Sequence, residues 1–210
     1  MSLLDIIFPE KCLYCKKLGK YICKECYNKL NNKYYFKKFN NDYFDYVICG
    51  SFYKETIRAQ LHNFKFHEQS YLYKYFIELI LNNAEIYSFL KKFNLITYIP
   101  MTKNKKLIRG YNQAELLAKE LGKSLNIEVL NLLEKLKENR VQSSLSKTER
   151  IKNVEDVFEF SKKHSDILNK NIILVDDIYT TGSTARACSK IIKENGANKI
   201  CVFTVSKTSN

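Results

Sequence analysis

The chain has 210 residues, 45% of them hydrophobic and 27% charged, which is ordinary globular usage and excludes disorder as its main state. Its longest apolar runs, such as Ile172–Val175, fall far short of the roughly 20 residues a spanning helix needs, so no membrane insertion is expected. The formal charge is +13, from 35 Lys and Arg against 22 Asp and Glu, and such an excess attracts polyanions such as nucleic acid or phosphorylated metabolites.

The N-terminus, MSLLDIIFPEKC, lacks the basic flank and long apolar stretch of a secretory signal, so a cytoplasmic location is expected. Residues 1–38 carry a net +6. Within them Cys12, Cys15, Cys23 and Cys26 form C-x2-C-x7-C-x2-C. Two such knuckles joined by a short loop can set four soft sulfur ligands tetrahedrally around one ion, the arrangement of structural Zn²⁺. Iron would use the same ligands. A pair of disulfides is the alternative, but it needs an oxidising compartment. Four thiolates close the coordination sphere. The metal is therefore expected to be structural, supplying folding energy to a segment too short for its own core. Cys49, Cys188 and Cys201 lie in apolar patterns and read as small core residues.

Residues 27–42, rich in Asn, Lys and aromatics, read as a linker. Its Tyr34, Tyr35, Phe36 and Phe39 either stack bases of a single strand or pack on the main domain. The chain thus divides into a four-Cys zinc-binding segment with linker, 1–38, and a main domain, 39–210.

In the main domain, 46–53 reads as a strand, and 55–66 and 69–93 as helices. Leu72, Tyr75, Phe76, Leu79 and Ile80 recur at helical spacing. A strand over 95–99 stops at Pro100, and a polar, basic loop follows. A helix over 112–125 carries the stripe Ala114, Leu117, Ala118, Leu121 and Leu125. Short strands are expected at 127–130 and 154–160, with a mobile polar loop at 139–153 between them. A strand over 171–176, a helix over 183–194 ending at Gly196 and a strand over 199–205 complete the chain. Strands alternating with helices imply an α/β fold, a mainly parallel sheet with helices on both faces.

The informative stretch is IILVDDIYTTGST, from Ile172 to Thr184. Four apolar residues describe a strand buried on both faces. Asp176 and Asp177 sit at its carboxyl end, where doubly wound sheets bind ligands. The hydroxyls of Thr180, Thr181, Ser183 and Thr184, with the N–H groups of a helix start, suit a phosphate. Gly182 allows close backbone approach or a positive φ. Two acids would repel a phosphate unless they face something else, such as a ribose diol or a cation. A sugar 5-phosphate satisfies both halves. No G-x-x-x-x-G-K-[ST] run occurs, so this is not a P-loop.

These residues resemble the phosphoribosyl-pyrophosphate (PRPP) binding motif of type I phosphoribosyltransferases. A wider set resembles the ComF family, ComFC-type proteins associated with bacterial DNA uptake and natural transformation. The set comprises the four-Cys knuckle, the YIP strand followed by RGYNQAELLAKEL, QSSLSKTERIKNVEDVF and ILVDDIYTTGSTARAC, in that order. The resemblance implies a type I phosphoribosyltransferase-like α/β domain behind a zinc finger. It implies that Asp176 and Asp177 hold the ribose hydroxyls while Thr180, Thr181, Gly182, Ser183 and Thr184 cradle the 5-phosphate. Lys103, Lys105, Lys106 and Arg109 would face the pyrophosphate, with Mg²⁺ bridging ligand oxygens. The 139–153 segment would be a lid carrying Arg140, Lys147 and Arg150. Asp176, Asp177, Arg109 and Arg150 are the expected catalytic residues.

The implied reaction is displacement of pyrophosphate from the anomeric carbon by an acceptor that the sequence does not identify. Cations on the leaving group would be its main catalytic device, and a lid would exclude water. The acceptor pocket would come from residues 44–95; His62, His67 and His164 are not expected to be catalytic. Single-stranded DNA and a DNA-uptake helicase are the implied macromolecular partners. The alternative is a non-catalytic DNA-binding or helicase-docking protein in which PRPP is a regulator or remnant.

Overall fold

The computed structural model describes residues 11–12, 15–19, 23–29, 34–40, 43–52, 61–62, 64–65, 70–137, 157–161 and 166–208. Among them, in chain order, the strands are β1 (Tyr35–Lys38), β2 (Tyr46–Phe52), β3 (Leu95–Tyr98), β4 (Glu128–Val129), β5 (Leu133–Lys135), β6 (Phe158–Phe160), β7 (Asn171–Tyr179) and β8 (Lys199–Lys207). The helices are α1 (Lys24–Lys29), α2 (Leu72–Leu81), α3 (Ala84–Leu90), α4 (Lys103–Arg109), α5 (Gln113–Leu125) and α6 (Ser183–Glu194).

The main sheet runs β1-β2-β8-β7-β3-β4. All its pairings are parallel except β1 on β2. β5 and β6 make a separate antiparallel ladder. Alternation along β7 and β8 builds two cores. Ile173, Val175, Cys201 and Phe203 meet Phe76, Ile80, Leu117 and Leu121 of α2 and α5 on one face. Ile172, Leu174, Ile200 and Val202 meet Ala185, Cys188 and Ile192 of α6, with Leu133 and Phe158, on the other. Ile172 to Val175 are fully buried, which is why that strand shows no polar alternation. The mainly parallel sheet with helices on both faces is the architecture expected.

Several elements differ from expectation, each for a local reason. The helix expected over 69–93 is two, α2 and α3. Asn83 is extended (φ −83°, ψ 112°) and its side chain accepts from the Ile86 N–H, so it caps α3 instead of continuing α2. Both helices bury one face in the same core, and periodicity does not register the break. The basic loop expected after Pro100 contains α4. Thr102 caps its start and Gly110, at φ 81°, ends it. None of its residues is buried, so it has no apolar stripe to read.

Residues 27–42, expected as a linker, hold the end of α1 and all of β1. Tyr35 pairs opposite Cys49, Phe36 meets the Phe89 ring edge-on at 5.1 Å, and the Tyr34 hydroxyl donates to Glu85 at 2.7 Å. Its aromatics pack on the main domain. β4 is shorter than expected, whereas β7 and β8 run on to Tyr179 and Lys207. Of the strand expected at 154–160, residues 158–160 form β6; 154–156 lie outside the described residues, as does 139–153. In the helix expected at 55–66, residues 61, 62, 64 and 65 are described and helical.

Candidate functional site

β3 lies parallel to β7 with Tyr98 beside Val175. The turns after both strands therefore open at the same, carboxyl, end of the sheet. The two acids of β7 meet different neighbours. Asp176 lines a hollow at the start of α6, and Asp177 meets Lys65, Nζ to Oδ2 at 2.7 Å. Asp176 accepts from the Asp177 backbone N–H at 2.8 Å. Burial, aided by the Asp177 charge, pushes the Asp176 carboxyl up to about 7, against the Asp177 N–H, Lys65 and Lys135.

Asp176 lines one hollow with Tyr179, Thr180, Gly182, Ser183 and Thr184. Gly182 is the N-cap of α6 at φ 78°, with no side-chain cap. An added Cβ there would stand 2.5 Å from the Tyr179 hydroxyl, so the Tyr179 ring covers a position only glycine fills. The Thr181 and Ser183 hydroxyls are 2.9 Å apart, and Thr181 also accepts the Ser183 N–H at 3.4 Å. Hydroxyls, a left-handed glycine and a helix N-terminus in one place can receive a phosphate.

The basic residues expected to face pyrophosphate lie on α4 and at its end. Lys103 and Lys105 are exposed. Lys106 is tied to Glu115 at 2.8 Å, and Lys119 reaches the same carboxyl group at 2.8 Å. Burial acts to raise Glu115, but these ammoniums hold it below the ordinary carboxylate range. Arg109 is half-buried and donates to Gln113 Oε1 at 2.9 Å. Gln113 Nε2 is buried with no hydrogen-bond partner. Arg140, Lys147 and Arg150 lie outside the described residues.

Two site residues escaped the sequence reading. Lys65 is one of the helical residues 61, 62, 64 and 65. Lys135 of β5 lies across from Phe158, 5.4 Å from its ring centroid, and its charge reaches Asp176 and Cys188. In a chain so rich in lysine no local signal marks either one.

At the other end of the chain, Cys12, Cys15, Cys23 and Cys26 place their sulfurs within 4.8 Å of one another. Lys16 donates its N–H to Cys12 O and the Cys12 N–H donates to Lys17 O, both at 2.8 Å. Cys26 packs against the main core. This donor set is compatible with a zinc tetrathiolate. Among the described residues no helix is long and apolar enough to cross a membrane.

No family model matches the chain. It is 28% identical over 204 residues to competence protein F of Haemophilus influenzae, covering 95% of this chain and 85% of that protein. It is 31% identical over 153 residues to competence protein ComFC of Streptococcus pneumoniae, covering 73% of this chain and 64% of the relative's length. Among solved structures, adenine phosphoribosyltransferase from Thermoanaerobacter pseudethanolicus aligns with TM-score 0.35 and 17% identity over 61% of this chain and 84% of that one. The resemblance to the ComF family read from the motifs thus extends, through competence protein F, along nearly the whole chain.

Proposed function

We propose that the protein is a competence-associated phosphoribosyltransferase-like protein that binds PRPP at the carboxyl end of β7. The observation that carries this reading is the single hollow joining Asp176 to the hydroxyl-rich start of α6. The 5-phosphate would lie on Thr180, Thr181, Gly182, Ser183 and Thr184. Asp176 would meet the ribose hydroxyls from within the hollow, with Asp177 next to it on β7. Lys103, Lys105 and Arg109 would approach the pyrophosphate from α4, with Arg150 supplied by the 139–153 segment.

The reaction would form a bond from the acceptor's lone pair to the anomeric carbon as the carbon–oxygen bond to pyrophosphate breaks. Pyrophosphate leaves with the electron pair, and the acceptor's proton passes to water. The basic residues would stabilise charge on the leaving group. Mg²⁺, held by the ligand's own pyrophosphate and ribose oxygens, would supply further neutralisation. Zn²⁺ on Cys12, Cys15, Cys23 and Cys26 would be structural, since four thiolates leave no position for substrate. We place the protein in the cytoplasm, acting in DNA uptake.

Titration of the zinc-loaded protein with PRPP and Mg²⁺ by calorimetry tests this. Binding that disappears in Asp176→Asn, and pyrophosphate release with one member of a panel of nucleobases, are the expected results. Absence of PRPP binding by the unaltered protein refutes the reading.

A second reading has its own observation. β1 sets Phe36, 44% exposed, beside exposed Lys37 and Lys38 on a sheet edge. If DNA binding is the function and PRPP only a regulator or remnant, single-stranded oligonucleotides should bind in a salt-dependent way. Lys37→Glu with Lys38→Glu should then weaken that binding. No binding at low salt removes this reading, as would a helicase pull-down that fails with the full chain for its docking form.

A further inference from the structure

Lys65 belongs to a helical turn that is anchored on both sides. Leu61 and Phe64 are buried in the core. The Phe64 ring packs on Phe76 and Tyr111, with centroids 5.7 and 5.9 Å away. The Tyr111 hydroxyl donates to the Phe64 carbonyl. From this fixed turn Lys65 Nζ reaches Asp177 Oδ2 at 2.7 Å, the side chains being 23% and 15% exposed. An exposed ion pair would contribute little. One drawn out of water by an anchored turn is costly to break, because the remaining charge stays uncompensated.

We propose that Lys65 is a positioning residue of the sugar-phosphate site: through its 2.7 Å ion pair it holds the Asp177 side chain in place beside Asp176, which lines the hollow at the start of α6. The proposal rests on the PRPP reading above. Two adjacent half-buried carboxyl groups cannot both be charged cheaply without a cation. Lys65 supplies one for Asp177 at 2.7 Å. Asp176 feels a wider set of groups: the Asp177 charge and N–H on its own strand, then Lys65, then Lys135 on β5, with the Cys188 thiol of α6 also within reach of its charge. The pair thereby presents one fixed acceptor, Asp177, and one group able to donate or accept, Asp176. Vicinal hydroxyls, each both donor and acceptor, match such a pair.

The test uses the full, zinc-loaded chain as unaltered protein, Lys65→Met and Lys65→Arg. Aspartate carboxyl ¹³C shifts are followed against pH without ligand, and PRPP·Mg²⁺ affinity is measured across the same range. In Lys65→Met the midpoint of the acid pair should rise by about one unit or more. PRPP affinity near neutral pH should fall about tenfold, the scale of losing one charge-assisted contact, and recover as pH rises. Lys65→Arg should restore both. An unmoved carboxyl midpoint in Lys65→Met overturns the proposal. So does an affinity loss equal at every pH and accompanied by a lowered melting temperature, which marks a packing role. If Lys65→Met does not fold, a Lys65→Arg protein that folds but titrates unlike the unaltered one also overturns it. Failure of the unaltered protein to bind PRPP sinks the PRPP reading, whereas normal PRPP binding with unmoved carboxyl groups sinks this proposal alone.

Discussion

Asp176 accepts the backbone N–H of Asp177 at 2.8 Å, yet Asp176 lines the hollow at the start of α6 while Asp177 pairs with Lys65. The carboxyl groups are thus close enough to repel, yet each has different company. That arrangement has a consequence for stability. The native Asp176 carboxyl holds its proton up to about pH 7, whereas an aspartate in the unfolded chain loses it near 3.9. Between those limits the native state binds the extra proton, so stability falls as pH rises from about 4 to about 7 and then levels off. Urea unfolding across pH 5 to 8 should show that fall. In Asp176→Asn the slope should flatten. An unchanged slope would place the titrating group elsewhere.

The buried strand and its acids were legible in sequence because they depend on local pattern. Ile172 to Val175 form a run that only a doubly covered strand explains, and Asp176 follows at the end where ligands bind. The division of labour between Asp176 and Asp177 was less visible. It depends on tertiary packing that brings Lys65 to Asp177 and the start of α6 to Asp176. Lys65 and Lys135 were invisible because their roles come from tertiary contact with β7, across 112 and 41 residues of sequence. α4 was missed since a helix with no buried residue leaves only its caps, Thr102 and Gly110, as signals.

Gly182→Ala should damage the phosphate turn twice over. At φ 78° an L side chain is strained, and its Cβ would stand 2.5 Å from the Tyr179 hydroxyl. The positive φ alone costs about 1–3 kcal/mol. Thermal melting should therefore fall, and ribose 5-phosphate binding should be lost. Adding Tyr179→Ala removes the clash but leaves the backbone strain, so the double variant should recover part of the melting temperature. Full recovery would show that Gly182 is needed for space and not for conformation.

Asn83 separates α2 from α3 through one side-chain hydrogen bond, Oδ1 accepting the Ile86 N–H at 3.0 Å. Asn83→Ala should cost about 1 kcal/mol, the usual effect of losing an N-cap. Asn83→Asp should retain the cap. Both changes are remote from the hollow at β7, so PRPP affinity should stay constant while stability moves. A change in affinity would mean that the break between α2 and α3 is transmitted to the site.

The four-Cys cluster joins two observations that make a metal prediction specific. The sulfurs converge within 4.8 Å, while Cys26 and Tyr34 pack against the main core. Purified protein should contain about one zinc per chain, as a four-thiolate structural site holds. Cys12→Ser and Cys23→Ser should each lose it, since one buried and one half-buried ligand come from different knuckles. Chelation should unfold the knuckle, as binding and folding of such short segments are coupled. The parallel sheet should survive, because β2, β8, β7 and β3 draw their packing from α2, α5 and α6. Mass spectrometry under native conditions would count the metal, and circular dichroism would follow the fold. Iron in place of zinc would change the metal's identity and leave the ligand set standing. Retention of metal after either cysteine is replaced would remove these four residues as its ligands.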